Sequence, residues 1–166
     1  HLLAGLGAPV VLHVKLHPTF VSDATVPDVQ RFLGLMAAHT PAARGLGARL
    51  TTALEASQLR LAPDPYWNSP RPLWDLPPRL EKLFTPARLV IFKGDLNYRR
   101  LVGDAIWPEG VSLAEVTRGF PAPLVALRSL KSDPIVGLPP GLTARLDALD
   151  PTWHVNGKRG LFQSTL

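Results

Sequence analysis

Cysteine is absent from all 166 positions, which excludes a disulfide scaffold, a thiolate metal site and a cysteine nucleophile. His, Asp, Glu and Asn remain as strong ligands, and an intracellular, cytoplasmic compartment fits best. No apolar run approaches the roughly 18–20 residues that cross a bilayer; the longest, Leu89-Val-Ile-Phe92 and Leu124-Val-Ala-Leu127, are strand-sized. A starting Met and the basic region of a signal peptide are also missing. The chain opens on His1-Leu-Leu-Ala-Gly and enters an apolar strand at once, so it is expected to begin inside a domain. Positive charge is in modest excess, 18 Lys and Arg against 13 Asp and Glu, and it is spread out. Such a balance suits a small phosphate ester as well as a nucleic acid. The pairs Arg99-Arg100 and Lys158-Arg159 are too few and too separated to form a nucleic-acid patch, and the aromatics do not interleave with them. Neither nucleic acid nor a membrane is expected as a partner, and the sequence leaves protein partners open.

With 46% hydrophobic residues, a chain of this length buries a core without staples, and residues 1–166 are expected to form one domain. Eighteen Pro and 13 Gly punctuate apolar runs that alternate with helical patterns, the rhythm of an α/β fold. A buried strand is expected over residues 8–14, and a short extended piece over residues 19–21. Thr25 with Asp28 three positions on, and Pro27 in the first turn, open a helix over residues 26–38. Leu46, Leu50, Ala53 and Leu54 mark a second helix over residues 41–57. Six prolines with Tyr66, Trp67 and Trp74 make residues 62–78 a long structured loop. Strands follow at residues 88–92 and 124–127, with helices at residues 80–84 and 96–102. Asn156-Gly157 between residues 153–155 and 161–163 signals a β-hairpin.

Ligands of open α/β sheets bind beyond the carboxyl ends of the strands, and three strand ends carry suitable chemistry. The first, Lys93-Gly-Asp-Leu-Asn-Tyr-Arg99, offers two cations and an Asp that either caps the helix or meets a ligand. The second, Arg128-Ser-Leu-Lys-Ser-Asp133, clusters cations and hydroxyls. Lys131 suits a phosphate as a point charge, and Arg128 suits an acidic neighbour such as Asp95. The third, Val21-Ser-Asp23, places a carboxylate where it either caps a helix or ligates a hard divalent cation. His13 and His17 are four apart but sit on a strand that ends at Pro18, without the Glu of a zinc helix. Gly5-Leu-Gly7 and Gly45-Leu-Gly47 lack the strand-to-helix setting of a dinucleotide loop.

In order and spacing these strings, together with Trp153-His-Val-Asn-Gly-Lys-Arg-Gly160, resemble the damage-control phosphatase family, in its sugar-phosphate branch related to an acidic-residue methyltransferase. Arg128 to Lys131 is similar to that branch's Arg-Thr-x-Lys signature, with Ser129 in the Thr position. The resemblance implies a three-layer α/β/α Rossmann-like sheet, seen here in its C-terminal part and closing on the hairpin. It also implies hydrolysis of phosphomonoesters such as fructose phosphates with manganese, nickel or cobalt. Carried over residue by residue, Asp23 is a metal ligand, and Lys93, Asp95, Leu96, Asn97, Tyr98, Arg99, Arg128 and Lys131 handle the phosphorylated metabolite, with Asp95 as the catalytic candidate. The family's Asp-Asn ligand pair has no counterpart in the chain, so the remaining ligands are expected upstream of His1. Carboxyl methylation from S-adenosylmethionine and phospho-ligand binding without turnover are the competing activities.

Overall fold

The structure is a computed structural model that describes residues 9–18 and 23–166. The expected extended piece over residues 19–21 lies outside the described residues. The chain divides into two compact units, one ending at Ser69 and one spanning Pro70–Leu166.

In the first unit β1 (Val10–Val14) lies parallel to β2 (Leu59–Pro63), in register from Val10 opposite Leu59 to Val14 opposite Pro63. Two helices, α1 (Val26–Ala37) and α2 (Pro41–Glu55), make the crossover that a parallel pair requires. The start of α1 is fixed by Thr25, whose N–H and hydroxyl both donate to Asp28 Oδ2, at 2.9 and 2.7 Å. Thr40 starts α2 by accepting from the Ala43 N–H at 3.3 Å. Only Val14 of β1 is buried, so the strand is less enclosed than its apolar run implies, in keeping with its place in a two-stranded sheet.

The proline-rich loop divides its aromatics. Tyr66 and Trp67 are buried in a 3₁₀ turn, Pro65–Asn68, capped by Asp64, which accepts the Tyr66 N–H at 2.8 Å. The His13 ring meets the Trp67 indole edge to face at 5.1 Å. Burial holds the His13 pKa below its ordinary value, against a smaller upward pull from Asp64. A histidine that folds neutral contributes stability in full above its unfolded value near 6.5, and that stability is lost as pH falls through the lowered value. Acidification from pH 7 to 5 therefore weakens the first unit, and proton NMR of the His13 ring is expected to report a midpoint below that of an exposed histidine.

In the second unit β4 (Leu124–Ser129) is central, parallel to β3 (Val90–Lys93) and antiparallel to β5 (Gly160–Ser164). Helices α3 (Pro78–Phe84), α4 (Asp95–Leu101), α5 (Leu113–Val116) and α6 (Leu142–Leu149) complete it. Leu80, Phe84, Phe92, Leu101, Val102, Leu124 and Ala126 form its core, with Phe120 against Phe92 at 5.2 Å and Phe84 at 5.4 Å. The fold is α/β, but the described strands form two separate sheets of two and three strands.

The expected C-terminal hairpin does not form. Residues 153–155 are in turns, and the partner of β5 is β4. Asp150 overrides the local Asn-Gly signal: its carboxylate accepts from Thr152 Oγ1 at 2.9 Å, Asn156 Nδ2 at 3.0 Å and Arg159 Nη1 at 2.7 Å. Trp153 is buried and donates to Asp147 at 2.8 Å. The Gly157 N–H then bonds the Leu130 carbonyl at 2.8 Å, so the turn closes on the end of β4.

Trp74, 53% exposed, lies against Gly103, which has φ +73°; a Cβ there would sit 1.8 Å from Trp74 Cη2. Gly103→Ala is expected to lower stability by about 2 kcal/mol, through strain at positive φ and displacement of the indole. Denaturant melts with indole fluorescence check this.

Candidate active site

The carboxyl ends of β3 and β4 lie side by side, Lys93 opposite Leu127. Gly94, at φ +104°, turns the chain sharply into α4 and donates its N–H to the Leu127 carbonyl at 2.8 Å; few side-chain-bearing residues tolerate that φ. Asp95 is the first helical residue, and the cap is Gly94, which has no side chain to make a capping bond. The Asp95 side chain turns toward β4. Arg128 Nη2 lies 2.7 Å from Asp95 Oδ1, and Ser132 Oγ donates to both carboxylate oxygens at 3.1 and 3.2 Å.

Arg128 is fully buried along its side chain. Its guanidinium donates to the carbonyls of Pro134 and Ser132 and to Ser132 Oγ, and it lies over the Tyr98 ring, 4.5 Å from the centroid. Burial pulls the Arg128 pKa down while Asp95 pushes it back; a guanidinium starts so high that it stays charged. The pairing of Arg128 with Asp95 foreseen from their residue types is thus present.

Tyr98 faces inward, 1% exposed. Its hydroxyl donates to Gln163 Oε1 at 2.9 Å and accepts the Val136 N–H at 3.2 Å, and burial raises its pKa, so the phenol stays protonated. Asn97 folds back to donate to the Lys93 carbonyl at 2.8 Å. Leu96 is half-buried and Lys93 exposed.

Arg99 and Lys131 meet at an open cavity of about 480 Å³, lined also by Asp104, Ile106, Ser132 and Val155. Asp95 is tied to it through Ser132, a residue that belongs to both the network and the cavity lining. Arg99 is held by Asp104 in a two-bond fork, Nε to Oδ1 and Nη2 to Oδ2, each 2.7 Å. Asp133 also lines the cavity and lies 3.3 Å from His154 Nε2. Asp104 lies outside every string that the sequence marks, and Asp133 enters only as the end of one. Asp104 is five residues from its partner and in the left-handed region, φ +53°, so no helical spacing announces the contact.

In the first unit Asp23 Oδ2 is buried and has no hydrogen-bond partner among the described residues; Lys15 Nζ stands 3.8 Å away and donates to the Trp67 carbonyl. No group of three or more His, Asp or Glu able to hold a metal occurs among the described residues.

The description of one protein family, the damage-control phosphatase ARMT1-like domain, matches residues 1–146. The chain belongs to the damage-control phosphatase ARMT1-like family. It is 36% identical to the damage-control phosphatase ARMT1 of Rattus norvegicus over 167 residues, covering 98% of this chain and 38% of the relative. The corresponding proteins of Danio rerio and Homo sapiens are 35% and 34% identical, over 96% and 98% of this chain and 37% and 38% of their own lengths. The chain therefore spans little more than a third of these relatives.

Of the residues that family resemblance marked, the second unit brings together Asp95, Arg99, Arg128 and Lys131 around Ser132. Tyr98 packs into the core, and Asn97 bonds the backbone. Asp23 belongs to the other unit.

Proposed function

We propose that this chain is part of a metal-dependent phosphatase that hydrolyses small sugar phosphates, fructose-phosphate-like, in metabolite damage control. The carrying observation is the Asp95–Arg128–Ser132 network set against a cavity that holds Lys131 and Arg99. Two cations at one cavity suit a phosphate dianion, and both are anchored in chain segments that leave strand ends. Lys131 supplies a compact charge, and Arg99 a planar set of donors. As the phosphoryl group passes to its transition state, charge on its outer oxygens is met by groups already in place.

The polarity of Ser132 follows from its bonds. Its hydroxyl proton goes to Asp95 and one lone pair accepts from Arg128, which leaves an acceptor for a sugar hydroxyl. In that polarity Ser132 gives its proton to Asp95 as it takes one from a bound sugar hydroxyl or water, so Asp95 is the proposed catalytic carboxylate that accepts the proton, and Arg128 is its positioning residue.

The buried Asp23 oxygen, which makes no hydrogen bond among the described residues and has only the Lys15 ammonium at 3.8 Å, fits a ligand to a hard divalent ion. Asp23 would hold manganese, nickel or cobalt, together with ligands from outside these 166 residues. When bound, such an ion acts as a Lewis acid for a phosphoryl oxygen and acidifies a water. A single carboxylate binds manganese weakly, so the 166-residue chain is expected to bind phosphate without turnover. Titrating manganese with a fructose phosphate into this chain and into the full-length protein tests the reading: phosphate release by the full-length protein alone is expected. Equal release by both would place the metal site wrongly. Methyl transfer from labelled S-adenosylmethionine without phosphate release, or neither activity in the full-length protein, would overturn the phosphatase reading.

A further inference from the structure

We infer that Asp104 is a positioning residue for phosphate binding, fixing which edge of the Arg99 guanidinium a ligand meets; the inference rests on the phosphatase reading for its kinetic consequences but not for its binding consequences. Both Asp104 oxygens are committed to Arg99, Oδ1 to Nε and Oδ2 to Nη2, at 2.7 Å each. A guanidinium has five N–H donors in a rigid fork, and its Nε–Nη2 edge is one of those that grips an oxyanion with two parallel bonds. With that edge occupied, about three donors remain, all at the Nη1 and Nη2 ends. A phosphate entering the cavity is therefore met by the terminal edge of Arg99, with Lys131 as the second cation.

The backbone is shaped to hold this arrangement. Asp104 follows Gly103, both have positive φ, and the Asp104 N–H bonds the Arg99 carbonyl at 2.6 Å. Asp104 is thus tied to Arg99 through main chain and side chain, and a non-glycine residue in the left-handed region is a conformation that costs stability. The hydrogen bonds from Arg99 hold the Asp104 carboxyl below the usual carboxylate range, so the clamp persists at neutral pH. Asp104 also sets the charge of the cavity. Its carboxylate and that of Asp133 offset Arg99 and Lys131, so a phosphate is held by directed bonds more than by net charge. Orientation is obtained at some expense in affinity.

Asp104→Asn isolates this role, because asparagine tolerates the left-handed region while losing the charge and one acceptor. Two opposed changes are expected in the full-length protein. Inorganic phosphate, added as the probe and followed by calorimetry, should bind about threefold tighter as a nearby negative charge is removed. Turnover of a sugar phosphate should fall roughly tenfold in kcat as Arg99 loses its orientation. A residue that only supports the loop would not move affinity and turnover in opposite directions. Arg99→Lys keeps the charge but not the fork. Adding Asp104→Asn to Arg99→Lys should cause no further loss of kcat, because Asp104 acts through the guanidinium. Unchanged phosphate affinity together with unchanged kcat in Asp104→Asn, or a full additive loss in the double variant, would overturn the inference. If the full-length protein releases no phosphate from any sugar phosphate, the phosphatase reading fails. Asp104 is then judged on the calorimetry and on the Arg99 Nε–H resonance. Tighter phosphate binding with loss of the protected Nε–H in Asp104→Asn supports the inference, and no change in either overturns it.

Discussion

Replacing Lys131 by Ala in the full-length protein is expected to lower kcat/KM for a sugar phosphate by about 10²-fold, the cost of deleting one preorganised charge-stabilising donor, with little effect on folding. Lys131 lies just past the end of β4, is exposed and lines the cavity, so its truncation opens no core void and orphans no buried partner. The whole effect then falls on the ligand. Arg99 does not compensate, because two of its donors are committed to Asp104. The comparison of denaturation midpoint with kcat/KM separates the two contributions: an unchanged kcat/KM in a folded variant would remove Lys131 from the site.

Arg128→Ala should have the opposite profile, a loss of about 3–5 kcal/mol in stability. Its side chain has no exposure and joins five groups at once: the Asp95 carboxylate, the Ser132 carbonyl, the Ser132 hydroxyl, the Pro134 carbonyl and the face of Tyr98. Truncation leaves a partly buried carboxylate without its counter-ion and two carbonyls without a donor, and an unpaired buried group is where such losses arise. Activity falls with it, because Asp95 and Ser132 lose the partner that fixes them. Arg128→Lys should recover part of the stability, since an ammonium replaces the charge but cannot serve all the acceptors. An unfolding free energy for Arg128→Ala, from denaturant melts, within about 0.5 kcal/mol of the parent would contradict this account of the network.

What was legible in the sequence was local. Thr25, Pro27 and Asp28 state the start of α1 in their own chemistry, and that helix is present as read. The apolar runs at β3 and β4 mark strands whose ends carry the cavity residues. Ser112 and Glu115 held the same kind of signal for α5, with the Ser112 N–H donating to Glu115 Oε2 at 2.8 Å, but a single turn lacks the apolar period that draws notice. Asn156-Gly157 misled because the bonds of Asp150 with Asn156 and Arg159, and of Trp153 with Asp147, are made across six to nine residues, beyond the reach of turn chemistry. Tyr98 shows a different limit. It stands within the string that marks the family, yet its position three residues into α4 turns it toward Val136 and Gln163, a choice set by tertiary packing. The Asp104 clamp is invisible to spacing for the same reason.

The central claim is that the cavity beyond β3 and β4 receives the phosphate. Titrating a fructose phosphate into the isotopically labelled 166-residue chain, followed by backbone NMR in the parent and in Lys131→Ala, tests it most directly. The account predicts shifts concentrated at Arg99, Asp104, Lys131 and Ser132 in the parent and their loss in the variant; shifts centred elsewhere, or a titration that Lys131→Ala leaves unchanged, would contradict it.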